Sequence, residues 1–193
     1  VEFLGFAFED EAFGDSIQGF PVLCKTREAY TKYEKYNDVK FIYQLYQPAI
    51  MQQRVDLVKS YGIPIERFAT YVHHSTYVAR SAKIGYGSVV LSNSTINPNV
   101  EIGNCCTITS NNLIGHDTKI GDYNFIAAQC AVGSNVCLGV GNFIGLKTSI
   151  NNYTNIGDWN FVGMGSNVIK GMKDNMKVYG NPAREFTKEI KSL

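Results

Sequence analysis

The sequence lacks an excess of charge of either sign, and it lacks a long apolar run. Its 18 basic and 17 acidic residues leave a formal net charge of +1, with no block of like charges. This balance argues against nucleic acid or a membrane surface as a partner, because both favour clustered basic residues. No apolar stretch approaches the roughly 18 residues of a membrane-spanning helix, and the N-terminus has no basic-then-apolar signal pattern. We therefore expect a cytoplasmic protein with no nucleic-acid partner and no membrane partner.

The chain is also poor in residues that bind metals or form disulfides. It has three histidines and five cysteines, and no two cysteines have the Cys-x-x-Cys spacing of zinc and redox motifs. Reduced cysteines that fill small spaces are typical of cytosolic proteins. We expect no metal and no disulfide. The cysteines are Cys24, Cys105, Cys106, Cys130 and Cys137.

A period of six residues extends over half of the chain. From Val72 to Val168 every sixth residue is Val, Ile or Leu, at all seventeen positions. This period fits neither an amphipathic helix nor one long amphipathic strand. It fits a repeated strand and turn that points one aliphatic side chain inward. The residue four positions later is mostly small, as an interior corner requires: Thr76, Ala82, Ser88, Ser94, Cys106, Thr118, Cys130, Thr148, Thr154 and Ser166.

Three repeats close a triangular coil of eighteen residues, and two columns of residues support this interval. Glycine recurs every eighteen residues from Gly85 to Gly157, which predicts turns that use the backbone freedom of glycine. Asn124, Asn142 and Asn160 form a second column, in which stacked amides can hydrogen-bond from coil to coil. The open ends of such a prism must be covered.

Residues 1–68 follow a different pattern, which predicts a small α/β unit. Residues 1–8 and 39–45 are apolar segments typical of strands. Residues 27–36 and 48–61 are typical of helices, and Gly62 ends the second one. Strand and helix alternate, which favours an α/β arrangement. We expect this unit to be followed by the repeat over residues 69–180 and by a C-terminal tail over 181–193 that forms a short helix from Arg184.

The repeat resembles that of the hexapeptide-repeat acyltransferases, and a closer resemblance covers nearly the whole chain. It is to the sugar acetyltransferases of the sialic-acid and bacillosamine type. The N-terminal unit carries it together with the segments Tyr71-Val72-His73, Ile114-Gly115-His116-Asp117 and Gly180-Asn181-Pro182-Ala183-Arg184. It implies a mainly β fold class, a left-handed parallel β-helix with a small N-terminal α/β, Rossmann-like domain. That domain normally opens with a strand and a glycine-rich loop, and neither precedes Val1, so the resemblance implies a truncated domain.

The resemblance implies that His116 is the catalytic base and that Asp117 orients it. A histidine, with a pKa near 6.5, suits removal of a proton from an amine or a hydroxyl, and a carboxylate fixes its tautomer. One coil further on, the backbone N–H of Ser134 is the candidate oxyanion donor. A solvated turn is the plainer interpretation of His116 taken alone, and a Gly-Ser turn that of Ser134. The column of residues eighteen apart at this corner is Arg80, Pro98, His116, Ser134, Asn152 and Lys170.

A neighbouring corner is the expected site for acetyl-CoA. In the family, the pantetheine of the donor lies along such a corner between two subunits of a homotrimer. We assign acetyl-CoA contacts to Leu146 and Met164, with Gly145 and Gly163 allowing close approach of the backbone.

Further ligand contacts are expected outside that corner. Phe125 stands where several relatives have a second histidine, which implies an apolar contact with the donor. Lys170 is expected near the donor phosphates, in a cluster completed by Lys173, Lys177 and Arg184, although such a cluster is more often a solvated face. Glu9 and Asp10 are candidates for binding the nucleotide sugar.

The expected reaction transfers an acetyl group from acetyl-CoA to the amino group of a nucleotide-linked amino sugar. A thioester is already activated, so direct attack needs no covalent intermediate and no cysteine nucleophile. O-acetylation of a sialic acid or another sugar remains an alternative, as does an inactive β-helix scaffold. Gamma-class carbonic anhydrases share the β-helix and bind zinc, but His74 and His116 fall on different faces of one chain, so no zinc site is expected.

Overall fold

A computed structural model describes residues 2–10, 14–44 and 47–186 of the chain. The N-terminal part has a three-stranded sheet in the order β1-β3-β2, in which β1 is parallel and β2 antiparallel to β3. Two helices follow, each preceded by a 3₁₀ turn, and a third 3₁₀ turn leads into the repeat. These elements are β1 (Phe6–Ala7), β2 (Ser16–Ile17), β3 (Phe20–Cys24), a turn at Thr26–Glu28, α1 (Ala29–Tyr33), a turn at Pro48–Ile50, α2 (Met51–Ser60) and a turn at Ile65–Arg67.

The repeat forms a parallel β-helix with three faces, which we call A, B and C. Face A contains β4 (Tyr71–Val72), β7 (Val89–Val90), β10 (Thr107–Ile108), β13 (Phe125–Ile126), β16 (Phe143–Ile144), β19 (Phe161–Val162), β21 (Lys177–Tyr179) and β22 (Arg184–Glu185). Face B contains β5 (Tyr77–Val78), β8 (Thr95–Ile96), β11 (Leu113–Ile114), β14 (Ala131–Val132), β17 (Ser149–Ile150) and β20 (Asn167–Val168). Face C contains β6 (Lys83–Ile84), β9 (Glu101–Ile102), β12 (Lys119–Ile120), β15 (Cys137–Leu138) and β18 (Asn155–Ile156).

The eighteen-residue coil expected from the sequence is confirmed by the strand register. Ile114 pairs with Val132, and Ile120 pairs with Leu138, each one coil later. The aliphatic residues from Val90 to Val168 fill the prism and are almost fully buried. Eight of the ten small corner residues are buried as expected, whereas Thr76 and Ala82 in the first coil are half-buried. The buried hydroxyls satisfy backbone carbonyls, as in the 2.9 Å bond that Thr118 donates to Gly133 O.

From Gly87 to Gly165, each corner of the β-helix contains one residue in the left-handed region of backbone space. These residues recur every six positions with φ between +53° and +70°. Asparagine, aspartate and glycine tolerate this conformation better than most residue types, which gives a physical reason for the many asparagines of the repeat. The positions are Gly87, Asn93, Asn99, Cys105, Asn111, Asp117, Tyr123, Gln129, Asn135, Gly141, Lys147, Tyr153, Trp159 and Gly165.

The glycine column from Gly85 to Gly157 has a different cause from the one expected. None of its members is among the glycines with positive φ. A Cβ atom on Gly121 would lie 2.7 Å from the carbonyl oxygen of Gly139 in the next coil, and Gly85 is equally crowded by Gly103. These positions therefore require glycine because successive coils approach closely, and backbone freedom is not used there.

The asparagine column is confirmed as a ladder of amides. The backbone N–H of Asn142 donates to the side-chain oxygen of Asn124 over 2.8 Å, and that of Asn160 donates to Asn142 over 2.8 Å. All three side chains are almost fully buried. The ladder therefore satisfies buried backbone donors at the corner that leads from face C to face A.

The N-terminal unit packs against face A and does not cover an end of the prism. Helix α2 places Val55 and Val58 against Phe125 and Tyr123, with Phe68 completing the contact. At the first coil, Val72 remains 36% exposed. At the other end, Met172 and Val178 are buried on the core, so the C-terminal coil does close the prism.

Two predicted elements differ in the structure. Residues 39–44 form no strand, because the buried Arg67 draws this region together: its guanidinium donates hydrogen bonds to the carbonyls of Tyr33, Glu34, Tyr36 and Val39, and only Phe41 forms a single bridge to Phe68. Leu45 lies outside the described residues. The predicted C-terminal helix is wrong at Arg184 and Glu185, which form β22, antiparallel to β21; residues 187–193 lie outside the described residues.

The helices predicted in the N-terminal unit are confirmed, with shorter bounds for the first. Gly62 follows α2 with φ of +64°, as a helix-terminating glycine does. Among the described residues, no helix has the length and apolar character needed to cross a membrane.

Candidate active site

His116 and Asp117 occupy the corner between faces B and C, which we call corner BC. They follow β11, whose Ile114 is anchored in the core, and the turn leaves both side chains about half exposed, at 56% and 45%. The Nδ1 atom of His116 lies 2.6 Å from Oδ2 of Asp117. An ionised carboxylate can only accept, so this contact favours a proton on Nδ1 and leaves Nε2 as an acceptor facing away from Asp117.

The carboxylate of Asp117 has a second partner in the preceding coil. The side-chain amide of Asn99 donates a 2.9 Å hydrogen bond to Oδ1 of Asp117. The hydrogen bond from His116, and next the one from Asn99, lower the pKa of the Asp117 carboxyl below its ordinary value. The carboxylate therefore stays ionised at neutral and mildly acidic pH, where a histidine base operates.

The Ser134 amide, the predicted oxyanion donor, lies one coil beyond His116 at the same corner. The coils are joined there by the N–H of Asn135, which donates to the carbonyl of His116 over 2.9 Å. The N–H of Ser134 itself donates to Oδ1 of Asn152 over 2.8 Å. The amide is thus in the predicted place, but it can serve a substrate oxygen only when the Asn152 side chain turns away.

The predicted acetyl-CoA residues of the glycine-rich corner lie between faces A and B, at corner AB. Leu146 and Met164 follow β16 and β19 and are 49% and 72% exposed. Gly145 is required by stacking, because a Cβ there would lie 2.6 Å from the backbone nitrogen of Met164. At Gly163, a Cβ would overlap the ring of Tyr179. Corner AB therefore offers apolar surface, and face B separates it from His116.

Phe125 and Lys170 do not join Leu146 and Met164. Phe125 is 8% exposed and packs under helix α2, with its ring stacked on Phe143 at a centroid distance of 5.3 Å. Its burial leaves little surface for a ligand. Lys170 is exposed at corner BC, in the column of His116 three coils further on.

Glu9 and Asp10 follow β1 in the N-terminal unit. Glu9 forms an ion pair with Arg27 at 2.9 Å and accepts a hydrogen bond from the Arg27 backbone, so the pKa of its carboxyl lies below the usual value. The Glu9 carboxylate fixes the start of the first 3₁₀ turn to the end of β1. A role for Glu9 in ligand binding must therefore accommodate this pairing.

Three cysteines are buried, and His73 contacts a neighbouring side chain. Burial raises the pKa of the Cys106 thiol to about 12 and those of Cys105 and Cys130 to about 11, which keeps these thiols protonated and unreactive. Nδ1 of His73 is 2.9 Å from the Ser75 hydroxyl. Across residues 2–10, 14–44 and 47–186, no group of three or more His, Cys, Asp or Glu side chains is arranged to hold a metal ion.

Two residues of corner BC that contact the candidate site were not predicted from the sequence. Asn99 contacts the Asp117 carboxylate, and Asn152 occupies the Ser134 amide. The signal for Asn99 was available, because it lies one coil of eighteen residues before Asp117. The signal for Asn152 was its place in the His116 column, but only coordinates show which backbone donor its side chain takes.

An open groove of about 450 Å³ runs along face B between the two corners. It is lined by Leu113, Gly133, Ser149, Ile169 and Asn181, among others. Gly133 precedes Ser134, so the groove begins beside the candidate oxyanion donor. A larger groove, of about 680 Å³, lies on face C around Glu101 and Lys119.

Comparison with known proteins shows a shared fold in the absence of close sequence similarity. No protein-family model matches the sequence, and none of the curated proteins compared with it matches. Solved structures do match over most of the chain, and acetyltransferases are among them. The fold class expected from the sequence, a mainly β parallel β-helix, is therefore confirmed.

The matching structures include sugar acetyltransferases with their substrates bound. A histidine-to-asparagine variant of perosamine N-acetyltransferase from Caulobacter crescentus, in complex with CoA and GDP-perosamine, gives a TM-score of 0.80 at 20% identity, over 94% of this chain and 85% of that chain. The acetyltransferase domain of PglB from Neisseria gonorrhoeae, in complex with acetyl coenzyme A, gives 0.61 at 23% identity, over 94% and 86%. WeeI from Acinetobacter baumannii gives 0.66 at 24% identity, over 94% and 85%.

Proposed function

We propose that this protein is an acetyl-CoA-dependent N-acetyltransferase whose acceptor is the amino group of a nucleotide-linked sugar. The observation that carries the proposal is the pairing of His116 Nδ1 with Asp117 Oδ2 at 2.6 Å on an exposed corner of the β-helix. The shared fold supports it, since structures of that fold hold CoA together with GDP-perosamine.

In the proposed reaction, the amine nitrogen of the acceptor attacks the thioester carbonyl, and Nε2 of His116 accepts a proton from that amine. The negative charge of Asp117 stabilises the imidazolium that forms, while the new C–N bond produces a tetrahedral intermediate. The C–S bond then breaks, and the imidazolium returns the proton to the departing thiolate. The products are the N-acetylated sugar and CoA, and His116 regains its starting state.

The oxyanion donor in this proposal is the Ser134 amide. Its N–H belongs to a backbone held on both sides, because Gly133 donates to Ile150 O over 2.9 Å and Asn135 donates to His116 O. Such a fixed donor suits an oxyanion. The proposal requires Asn152 to release this N–H when the substrate binds.

We further propose that the active site is completed by a second subunit of a homotrimer. Within one chain, face B separates His116 from Leu146 and Met164, which are the exposed apolar residues assigned to the pantetheine. Bringing corner AB of one subunit to corner BC of the next would unite them. Residues 1–68, with Asp10 and the Glu9–Arg27 pair, would then bind the nucleotide sugar, and Lys170 the donor phosphates.

The direct test is turnover of acetyl-CoA with a panel of UDP- and GDP-linked amino sugars. The release of the CoA thiol measures the rate. The His116→Ala variant should lose at least a hundredfold in kcat while still binding CoA, because only proton transfer is removed. His74→Ala is the matched control, since His74 is exposed in the first coil, four coils before Leu146, and its kcat should fall far less than that of His116→Ala. Retention of activity within tenfold in His116→Ala would refute the assignment of the base.

The identity of the product separates the remaining functions. An amide of unchanged mass after mild base treatment supports N-acetylation, whereas a base-labile ester identifies O-acetylation. Binding of CoA without turnover of any amino or hydroxyl acceptor would favour a β-helix scaffold. The buried ring of Phe125 and the occupied Ser134 amide are the observations that keep this last alternative in the test.

A further inference from the structure

The carboxylate of Asp117 is held by one hydrogen bond on each oxygen. Oδ2 faces Nδ1 of His116 at 2.6 Å, and Oδ1 accepts the side-chain amide of Asn99 at 2.9 Å. The side chain of Asp117 is 45% exposed and has little packing to orient it. Without Asn99, the carboxylate could rotate about its terminal torsion, which is a soft, roughly two-fold coordinate.

The backbone around Asn99 is fixed by contacts on both sides. Its N–H donates to the Ser81 hydroxyl of the preceding coil over 2.9 Å, and the N–H of Asp117 donates to the carbonyl of Pro98 over 3.0 Å. Asn99 and Asp117 both have left-handed backbone, with φ of +61° and +58°. Consecutive coils therefore repeat the same turn, and the Asn99 amide points along the corner towards the carboxylate.

Asparagine meets both requirements of this position. It tolerates the left-handed conformation, and its amide supplies a donor that carries no charge. An acid at this position would repel Asp117, whereas a lysine or an arginine would compete with His116 for the carboxylate. A glycine would satisfy the backbone but leave Oδ1 without its partner.

We propose that Asn99 is the positioning residue of the His116–Asp117 pair, holding the carboxylate in the rotation that keeps the proton on Nδ1 and Nε2 free for substrate. This inference rests on the proposed function for its effect on turnover, but its effect on the imidazole is measurable in the protein alone. The side-chain hydrogen bond of Asn99 goes to Asp117, so its effect on His116 is expected to act through Asp117.

The chain offers a matched control at the neighbouring corner. Asn93 has φ of +57°, and its N–H donates to the Ser75 hydroxyl over 3.0 Å, which repeats the surroundings of Asn99. The residue one coil beyond Asn93 is Asn111, so no carboxylate stands where Asp117 stands. Substituting glycine at either position keeps the left-handed turn and removes only the side chain.

The experiment compares Asn99→Gly with Asn93→Gly by nitrogen NMR of the histidine rings and by kinetics. Three histidines make the ring signals assignable, with His116→Ala identifying its own. At a pH where His116 is neutral, the wild type should show the Nδ1-protonated tautomer as the main form. Asn99→Gly should shift the population towards the Nε2-protonated tautomer and lower kcat about tenfold, with KM for acetyl-CoA within twofold. Asn93→Gly should leave the tautomer population of His116 unchanged.

A second variant guards against an effect of glycine on the fold. Asn99→Asp keeps the tolerance for left-handed backbone but places a like charge against Asp117, so it should weaken the His116–Asp117 contact at least as strongly. An unchanged tautomer population in both Asn99 variants, or the same shift in Asn93→Gly, would overturn the proposal. A tautomer shift in a protein with no turnover on any acceptor would support positioning by Asn99 and refute the proposed function.

Discussion

At the scale of the residue, the candidate site depends on side chains that serve one neighbour in sequence and another eighteen residues away. Asp117 forms a hydrogen bond with His116 through Oδ2 and accepts one from Asn99 through Oδ1. The short side chain of aspartate reaches the imidazole because the two residues share one tight turn. A single coil thus presents the proposed base, and the coil before it supplies the second donor to the carboxylate.

The occupied amide of Ser134 gives a prediction at the same scale. Asn152→Asp replaces a neutral acceptor by a charged one, which holds the Ser134 N–H more tightly and places negative charge beside the developing oxyanion. We expect kcat to fall about tenfold, which corresponds to about 1.4 kcal/mol. The measurement is kcat at saturating acetyl-CoA.

The control for this prediction is Asn151→Asp, which adds the same charge one residue away at an exposed position. It should leave kcat within twofold of the wild type. An Asn152→Asp variant with the wild-type rate would exclude the Ser134 amide as the oxyanion donor.

At the scale of the element, the coil is the unit of both stability and placement. Each strand is only two or three residues long over the β-helix, so no strand is stable alone and register comes from stacking. Side chains inside the corners replace the hydrogen bonds that short strands cannot supply, as in the ladder of Asn124, Asn142 and Asn160. The stacking of the coils therefore sets the positions of the corner residues of the site.

The ladder can be tested by stability. Asn142→Ala removes the acceptor of the Asn160 N–H, leaving a buried donor without a partner, and opens a small space in the corner. We expect a loss of about 2–3 kcal/mol in the free energy of unfolding, measured by urea denaturation. Asn155→Ala, at an exposed position of face C, should change it by less than about 0.5 kcal/mol. Equal losses in the two variants would show that the ladder has no special role.

At the scale of the whole molecule, the three faces of the prism have different surroundings. Face A is covered by the N-terminal unit through Val55, Val58 and Phe68, while faces B and C carry open grooves. His116 and the pair Leu146 and Met164 lie at opposite edges of face B. A complete site therefore needs either a substrate that spans face B or a second subunit that brings the other edge.

Mixing two inactive variants distinguishes these arrangements. His116→Ala lacks the base, and the double variant Leu146→Glu with Met164→Glu places charge where the pantetheine is expected to pack. If sites form between subunits, co-expressed variants should regain activity that neither has alone, since some interfaces combine two intact edges. Light scattering should give about three times the chain mass of 21.5 kDa. Trimeric mixtures with no recovered activity would place each site within one chain.

Much of the fold was predictable from the sequence because a repeat of six residues leaves few solutions. The inward aliphatic residues, the small corner residues and the asparagine ladder all follow from a period that must bury one side chain in each repeat. The N-terminal unit was less predictable. Its hairpin between β2 and β3 turns at Gln18 and Gly19, both with positive φ. The sequence of these two strands has no alternation of apolar and polar residues from which the hairpin could be predicted. Residues 39–45 have the apolar composition of a strand. That composition does not show that Val39 and Phe41 lie against the buried guanidinium of Arg67.

Periodicity alone specifies the coil, its length of eighteen residues and the column in which His116 lies, because it records which side chains must face the core. The folded chain is needed to see that Asn99 donates to Asp117, that Asn152 accepts from the Ser134 amide and that the N-terminal unit packs on face A. Hydrogen-bond partners depend on the direction of each side chain and on which backbone donor lies within about 3 Å, and a repeat specifies neither. The eighteen-residue interval therefore predicts which residues stack in adjacent coils, and the side-chain geometry determines which of them form hydrogen bonds.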